Sequence, residues 1–162
     1  MPPPSVPRRV EDIIFYYYAK LVIAPSAGFK GNYGFIIDRY QGLKSGDILL
    51  SDYERELLHL ARTEGLCRFC GARGTKFKPV HVVPKRLGGP TGMHNLVMAC
   101  DTCAKSKDEK DLVDWWCNDL GKERDELPRV PLGLYLKIAY DRHKINFTLK
   151  KRCEKLGDLF AF

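Results

Sequence analysis

The chain has 162 residues, 44% of them hydrophobic and 29% charged, with a formal net charge of +7. That balance excludes a chain disordered throughout, and no apolar run reaches the ~20 residues that a membrane span needs. Nothing in Met-Pro-Pro-Pro, followed by Arg8-Arg9 and the acidic pair Glu11-Asp12, resembles a signal peptide, so the expected location is cytoplasmic (intracellular), with no membrane partner. In such a reducing compartment the six cysteines are expected as ligands or buried thiols rather than disulfides.

Residues 1–9, Pro-rich and basic, are expected to form a flexible arm. A mainly helical region, 10–65, follows. Its first helix, 10–24, is expected to end before Pro25, because a residue preceding proline disfavours the helical conformation. The run Phe15-Tyr16-Tyr17-Tyr18 is read as core packing rather than a base-stacking platform. The pattern of Tyr33 to Tyr40, between glycines, fits either a strand or a short helix. Ser51 and Glu54 have capping-box spacing and predict a helix from Tyr53 to Thr63, stopped by Gly65.

The segment 66–120 carries the chemistry. Cys67-Arg-Phe-Cys70 and Cys100-Asp-Thr-Cys103 are two Cys-x-x-Cys pairs, each suited to a knuckle that presents two thiolates to one metal. Four thiolates close a tetrahedral structural zinc (Zn2+) site, so Cys67, Cys70, Cys100 and Cys103 are the expected ligands. Cys117 and Cys153 have no partner at such spacing and are read as structural thiols. The 29 residues between the pairs exceed the spacing of a simple zinc ribbon. They predict one strand around His81, a basic Gly-Gly loop, and a second strand, Leu96 to Ala99, running into the second knuckle. A helix of about 104–120 completes a ββα unit and puts Leu112 with Trp116, and Val113 with Cys117, on shared faces. The last region, 121–162, predicts a helical extension with one helix at about 132–142 and a basic tail. His59 and His143 are read as surface or packing residues.

Charge is unevenly distributed. Residues 61–110 hold ten Lys and Arg against four Asp and Glu, and Gly65 to Cys100 contains no acid at all. Such a segment suits a polyanionic partner.

The ordered set Cys67, Cys70, His81-Val82-Val83-Pro84-Lys85, Gly88-Gly89, Asn95-Leu96, Cys100, Cys103 and Lys107 resembles the zinc-containing subtype of the HNH endonuclease family over about 66–112. The resemblance implies an α+β fold with a zinc-pinned ββα-metal unit, treble-clef-like, embedded among helices. It implies metal-dependent hydrolysis of nucleic-acid phosphodiester bonds, DNA foremost, with Mg2+ or another divalent ion at the scissile phosphate. His81 then matches the general base and Asn95 the residue that holds the hairpin so that the histidine faces the phosphate. Lys85, Arg86, Lys107 and Arg68 would contact the nucleic-acid backbone.

Two positions depart from the family pattern. Val80 stands where the family has an acid or histidine before the strand histidine, and Ala104 where it has asparagine or histidine after the last cysteine. Neither side chain can bind a metal. Asp101, Asp108 and His94 are the nearest substitutes in sequence. The function expected first is a working endonuclease; the alternatives are a catalytically degenerate zinc module that binds nucleic acid without cleaving it and a structural zinc protein that binds another protein.

Overall fold

A computed structural model describes residues 8–62 and 65–161, so the expected arm 1–9 lies outside the description except at Arg8 and Arg9. The fold is α+β: helices surround a two-stranded antiparallel hairpin and a cluster of four cysteines. No described helix is long and apolar enough to cross a membrane.

Helix α1, Val10–Tyr18, continues through a π-helical stretch, Ala19–Ile23, and a last turn, Ala24–Ser26. The expected stop before Pro25 does not occur. Ala24 is helical (φ −59°, ψ −45°), and its N–H reaches back five residues to the Ala19 carbonyl. That wider turn changes the ladder's register directly ahead of Pro25, which has no N–H to donate and is carried in the last turn, Ala24–Ser26. Phe15, Tyr16, Tyr17 and Tyr18 are all buried, as core packing requires. Tyr33 begins a helix rather than a strand: α2, Tyr33–Ser45, capped by the Asn32 side chain, which accepts from the Phe35 N–H. Helix α3, Ser51–Leu60, starts two residues earlier than expected. Ser51 lies inside it, and the Asp52 carboxylate accepts from the Leu49 N–H (2.9 Å) in place of the Ser51–Glu54 box.

The hairpin pairs β1, Lys78–His81, with β2, Leu96–Ala99, in the register Val80↔Val97 and His81↔Leu96. The second strand has the expected bounds, and the one expected around His81 ends at that residue. Helix α4, Asp101–Lys107, begins within the second knuckle, with Cys100 as its N-cap and Cys103 in its first turn. The helix expected over 104–120 is two helices. Asp108 leaves the helical region (φ 47°, ψ −128°), and Asp111 caps α5, Leu112–Asp114, which runs on as a π-helical stretch, Trp115–Asp119. Leu112, Val113, Trp115 and Trp116 are buried. The long helix α6, Arg129–Ile145, starts ahead of Pro131, because proline is tolerated in a first turn.

One continuous apolar cluster joins these parts. Phe69 of the first knuckle meets Trp115 edge-on, with ring centroids 5.2 Å apart. The start of α1 is tied to the tail: the Val10 N–H donates to the Lys151 carbonyl (2.9 Å), and Cys153 N–H to the Arg8 carbonyl (3.0 Å). His143, buried on α6, contacts Thr148 through Nδ1 (2.6 Å) and the Leu159 carbonyl through Nε2 (2.7 Å), fastening the tail to the helix.

A buried polar bond crosses from α5 to α6. The Tyr135 hydroxyl donates to the Asp111 carboxylate (2.7 Å), whose other oxygen accepts from the Asp114 N–H (3.0 Å). Tyr135→Phe removes that donor and strands a carboxylate oxygen in the core, so a loss of about 1.5–3 kcal/mol is expected in denaturant unfolding. An unfolding midpoint equal to that of the native sequence would show that Asp111 does not depend on Tyr135.

Candidate functional site

The first knuckle turns on Gly71 (φ 78°), whose N–H donates to the Cys67 carbonyl (2.9 Å) while the Cys67 N–H donates to Ala72 (2.8 Å). The second knuckle is the N-terminus of α4, where the Cys103 N–H points at the Cys100 sulfur (3.5 Å). These two turns bring all four sulfurs within 4.8 Å of one another, with Cys70 Sγ 3.7 Å from Cys100 Sγ. A tetrahedron with metal–sulfur bonds of about 2.3 Å has edges of about 3.8 Å, so this donor set fits a zinc ion. The electrostatics agree. Burial raises the Cys67 thiol, yet the N–H groups of Cys70, Cys100 and Phe69 and the Cys70 side chain bring it down to about 7. Burial, the neighbouring Cys100 thiol and the charge on Cys67 push Cys103 well up. Four crowded thiols ionise together only around a cation.

The loop of the hairpin beside this centre is fastened at both ends by one side chain, Asn95. Asn95 is fully buried at the start of β2. Its Oδ1 accepts from the Val83 N–H, and its Nδ2 donates to the Val83 and Pro90 carbonyls, each at 2.8 Å. Its own carbonyl accepts from the Val82 N–H (2.9 Å). Asn95 therefore fastens both ends of the loop 83–90 and has no polar atom left to meet a substrate; it is a positioning residue. Gly89 completes the loop. A Cβ there would fall 1.9 Å from the Val83 carbonyl oxygen, which only glycine avoids. Arg142 closes the loop from α6 by donating to the Leu87 carbonyl, a contact 55 residues distant in sequence and without any local signal.

His81, half-buried, ends β1 between two such restraints. The Lys107 ammonium donates to the His81 carbonyl (3.0 Å), and the next residue, Val82, is held by Asn95. Lys107 itself is fully buried and also donates to the Lys110 carbonyl (3.0 Å). Expected on the nucleic-acid surface, it is instead an internal fastener between α4, β1 and the turn at 108–111. Burial dominates its titration and brings it down to about 8 against the pull of Asp111 and Glu109. Lys85 and Arg86 are exposed on the 3-10 turn Lys85–Leu87, directly after Pro84, and Arg86 donates from Nε to the Glu109 carbonyl (2.7 Å). Arg68 is half-buried in the first knuckle, where its N–H donates to the Met98 carbonyl of β2 (3.0 Å).

Val80 and Ala104 offer nothing to a divalent ion. Val80 is buried, paired with Val97 within the core. The substitutes do not gather either. Asp101 is bound by Lys78 (2.7 Å) and Lys105 (2.9 Å). Asp108 has left the helix, and His94 lines a cavity of about 280 Å³ against α6. Among the described residues the four cysteines form the one group of three or more His, Cys, Asp or Glu placed to share a metal. A divalent ion at the scissile phosphate does not fit this donor set.

With the hairpin, the cysteine cluster and the buried asparagine in place, the comparison with known families becomes informative. Residues 67–112 match the HNH endonuclease family. The match begins at the first knuckle cysteine and ends in the first turn of α5, so the HNH segment holds the hairpin, both knuckles, Asn95 and Lys107. No curated protein and no solved structure matches the chain. A segment similar to HNH endonucleases thus sits within a larger helical body, and its four cysteines are placed to hold a metal ion.

Asn95→Ala leaves three buried backbone groups without partners and is expected to cost about 3 kcal/mol or more, with thermal unfolding as the measure. Retention of full stability would remove Asn95 from its positioning role. For Lys107 the sign follows from its lowered value. Between about pH 8 and its ordinary 10.5 the unfolded chain holds a proton that the folded one has released. Stability relative to Lys107→Met therefore rises with pH across that window and is lost as pH falls back to 8. Parallel pH profiles for the two proteins would contradict a buried, depressed lysine.

Proposed function

We propose that this protein is a nucleic-acid-binding HNH-type module, acting on DNA in the first instance, that engages the sugar-phosphate backbone without metal-dependent cleavage. The observation that carries this reading is Val80. At the position where the resemblance implies a metal-binding side chain, an apolar one is built into the core opposite Val97. Lys85 and Arg86 supply exposed cations next to the loop that Asn95 fixes, with Arg68 beside β2. The Cys67, Cys70, Cys100 and Cys103 set would hold a structural zinc, which supplies cross-linking charge and no chemistry of its own.

Phosphodiester hydrolysis is the second reading, favoured by one feature. The backbone of His81 is held from both sides, by Lys107 and by Asn95 through Val82, as a general base would need. In that case His81 takes the proton of the attacking water.

Metal analysis of the purified protein is expected to give about one zinc per chain, and Cys67→Ala is expected to lose both the metal and the fold. The functional test incubates supercoiled plasmid and single-stranded DNA with the protein in Mg2+, Mn2+ or EDTA, beside His81→Ala. Binding that weakens steeply with salt and yields no product in any metal is the expected result. Cleavage that disappears in His81→Ala would replace the binding reading with the hydrolytic one. Absence of affinity at moderate salt would leave neither.

A further inference from the structure

Large apolar side chains are exposed at few places, and three of them lie around the end of α6. Phe147 is 94% exposed, Ile145 75% and Met93 61%. The 3-10 turn Met93–Asn95 packs on α6, and Ile145 with Asn146 lines the same small cavity as His94 and Pro90 of the HNH segment. Ile145 therefore borders the same cavity as Gly88 and Pro90, at the far end of the loop that carries Lys85 and Arg86.

Phe147 is unusual in its backbone as well as its exposure. Its φ is 58°, the left-handed region that a bulky L-residue occupies only at a free-energy cost. The turn is held on both sides: the Phe147 N–H donates to Lys144 (3.3 Å), Thr148 N–H to the His143 carbonyl (2.9 Å), and the buried His143 ring to Thr148. A rigid turn thus holds an aromatic ring out in water in a conformation that asparagine or glycine would adopt more easily. Folding gains nothing from this arrangement.

The surroundings are basic. From Arg142 to Arg152 there are five Lys and Arg and no acid. Of these five cations Lys150 pairs with Glu11 and Arg152 with Glu154 (2.8 Å), while Asp141 is paired outside the run, with Lys137 (2.7 Å). A second copy of the chain would bring like charges together across a two-fold axis, whereas a polyanion meets them favourably.

We propose that Phe147, two residues beyond the exposed Ile145, is an apolar wedge that stacks on or inserts beside a nucleobase while the basic surface around it holds the sugar-phosphate backbone. The inference rests on the nucleic-acid reading above and extends it across α6, outside the HNH segment.

The test uses the full chain and an oligonucleotide carrying 2-aminopurine, in duplex and single-stranded form, titrated with the native protein, Phe147→Asn and Phe147→Trp. Native protein is expected to change the probe's fluorescence on binding, as the base stacking around it changes. Phe147→Asn is expected to bind between about fivefold and a hundredfold more weakly, without the fluorescence change and with the same salt slope. Its unfolding temperature is expected to stay or rise, because asparagine relieves the strained turn; Phe147→Trp is expected to retain binding. Equal affinity and equal fluorescence response for Phe147→Asn overturn the wedge but leave the nucleic-acid reading intact. No affinity in the native protein overturns both. A native dimer that Phe147→Asn converts to monomer, with unchanged nucleic-acid affinity, reassigns the patch to self-association.

Discussion

A hairpin of four residues per strand cannot hold itself together in water. Such a unit buries too little apolar surface to offset the entropy of ordering its loop, and needs fastening from outside. Here the fastening is polar and fully enclosed. Asn95 spends its carbonyl and both amide protons on the backbone of the intervening loop. Lys107 ties the last residue of β1 to the end of α4. The cysteines converge where β2 runs into α4 and hold that junction against the first knuckle. The shape of the surface that would meet a nucleic acid follows from these contacts, and the helices supply the platform that keeps them dry.

Burying a lysine and an asparagine in so small a unit is a demanding solution, because each stranded donor or acceptor costs as much as a good hydrogen bond contributes. The benefit is geometric. Apolar contacts leave a loop free to slide, whereas a side chain bonded to two carbonyls and an N–H admits one arrangement. The position of His81 is the product of that restriction. That setting is built although Val80 and Ala104 have no metal-binding atoms, so the contacts that hold His81 do not draw on those two side chains.

Much of the candidate site was legible in the sequence because its signals are local. Two Cys-x-x-Cys pairs, a β-branched strand at His81 and the run Leu96 to Ala99 sit where short-range spacing places them. The errors have a common origin in distant partners. Lys107 looked like a surface cation, since nothing nearby reveals that the His81 carbonyl 26 residues away will receive its ammonium. The helix expected over 104–120 breaks because Asp111 caps α5 and accepts from Tyr135, a residue of another helix. Pro25 was read by the ordinary rule for an α-helical ladder, and the π-helical turn ahead of it changes that ladder. The role of Arg142 in closing the Gly88-Gly89 loop had no sequence signal at all.

The tie between the start of α1 and the tail has a consequence for the order in which the molecule is made. Arg9 donates to the Lys150 carbonyl across 141 residues, and Val10 and Glu11 donate to carbonyls of the same segment. During synthesis the first helix leaves the ribosome long before the strand of chain that completes its end. Its aromatic face, Phe15 to Tyr18, then waits without α6 to cover it. Contacts of such separation form late and slow the final collapse. The loop at Gly88-Gly89 waits as well, because Arg142 of α6, 55 residues beyond Leu87, closes it. The nascent chain therefore depends on whatever shields that aromatic surface in the interval.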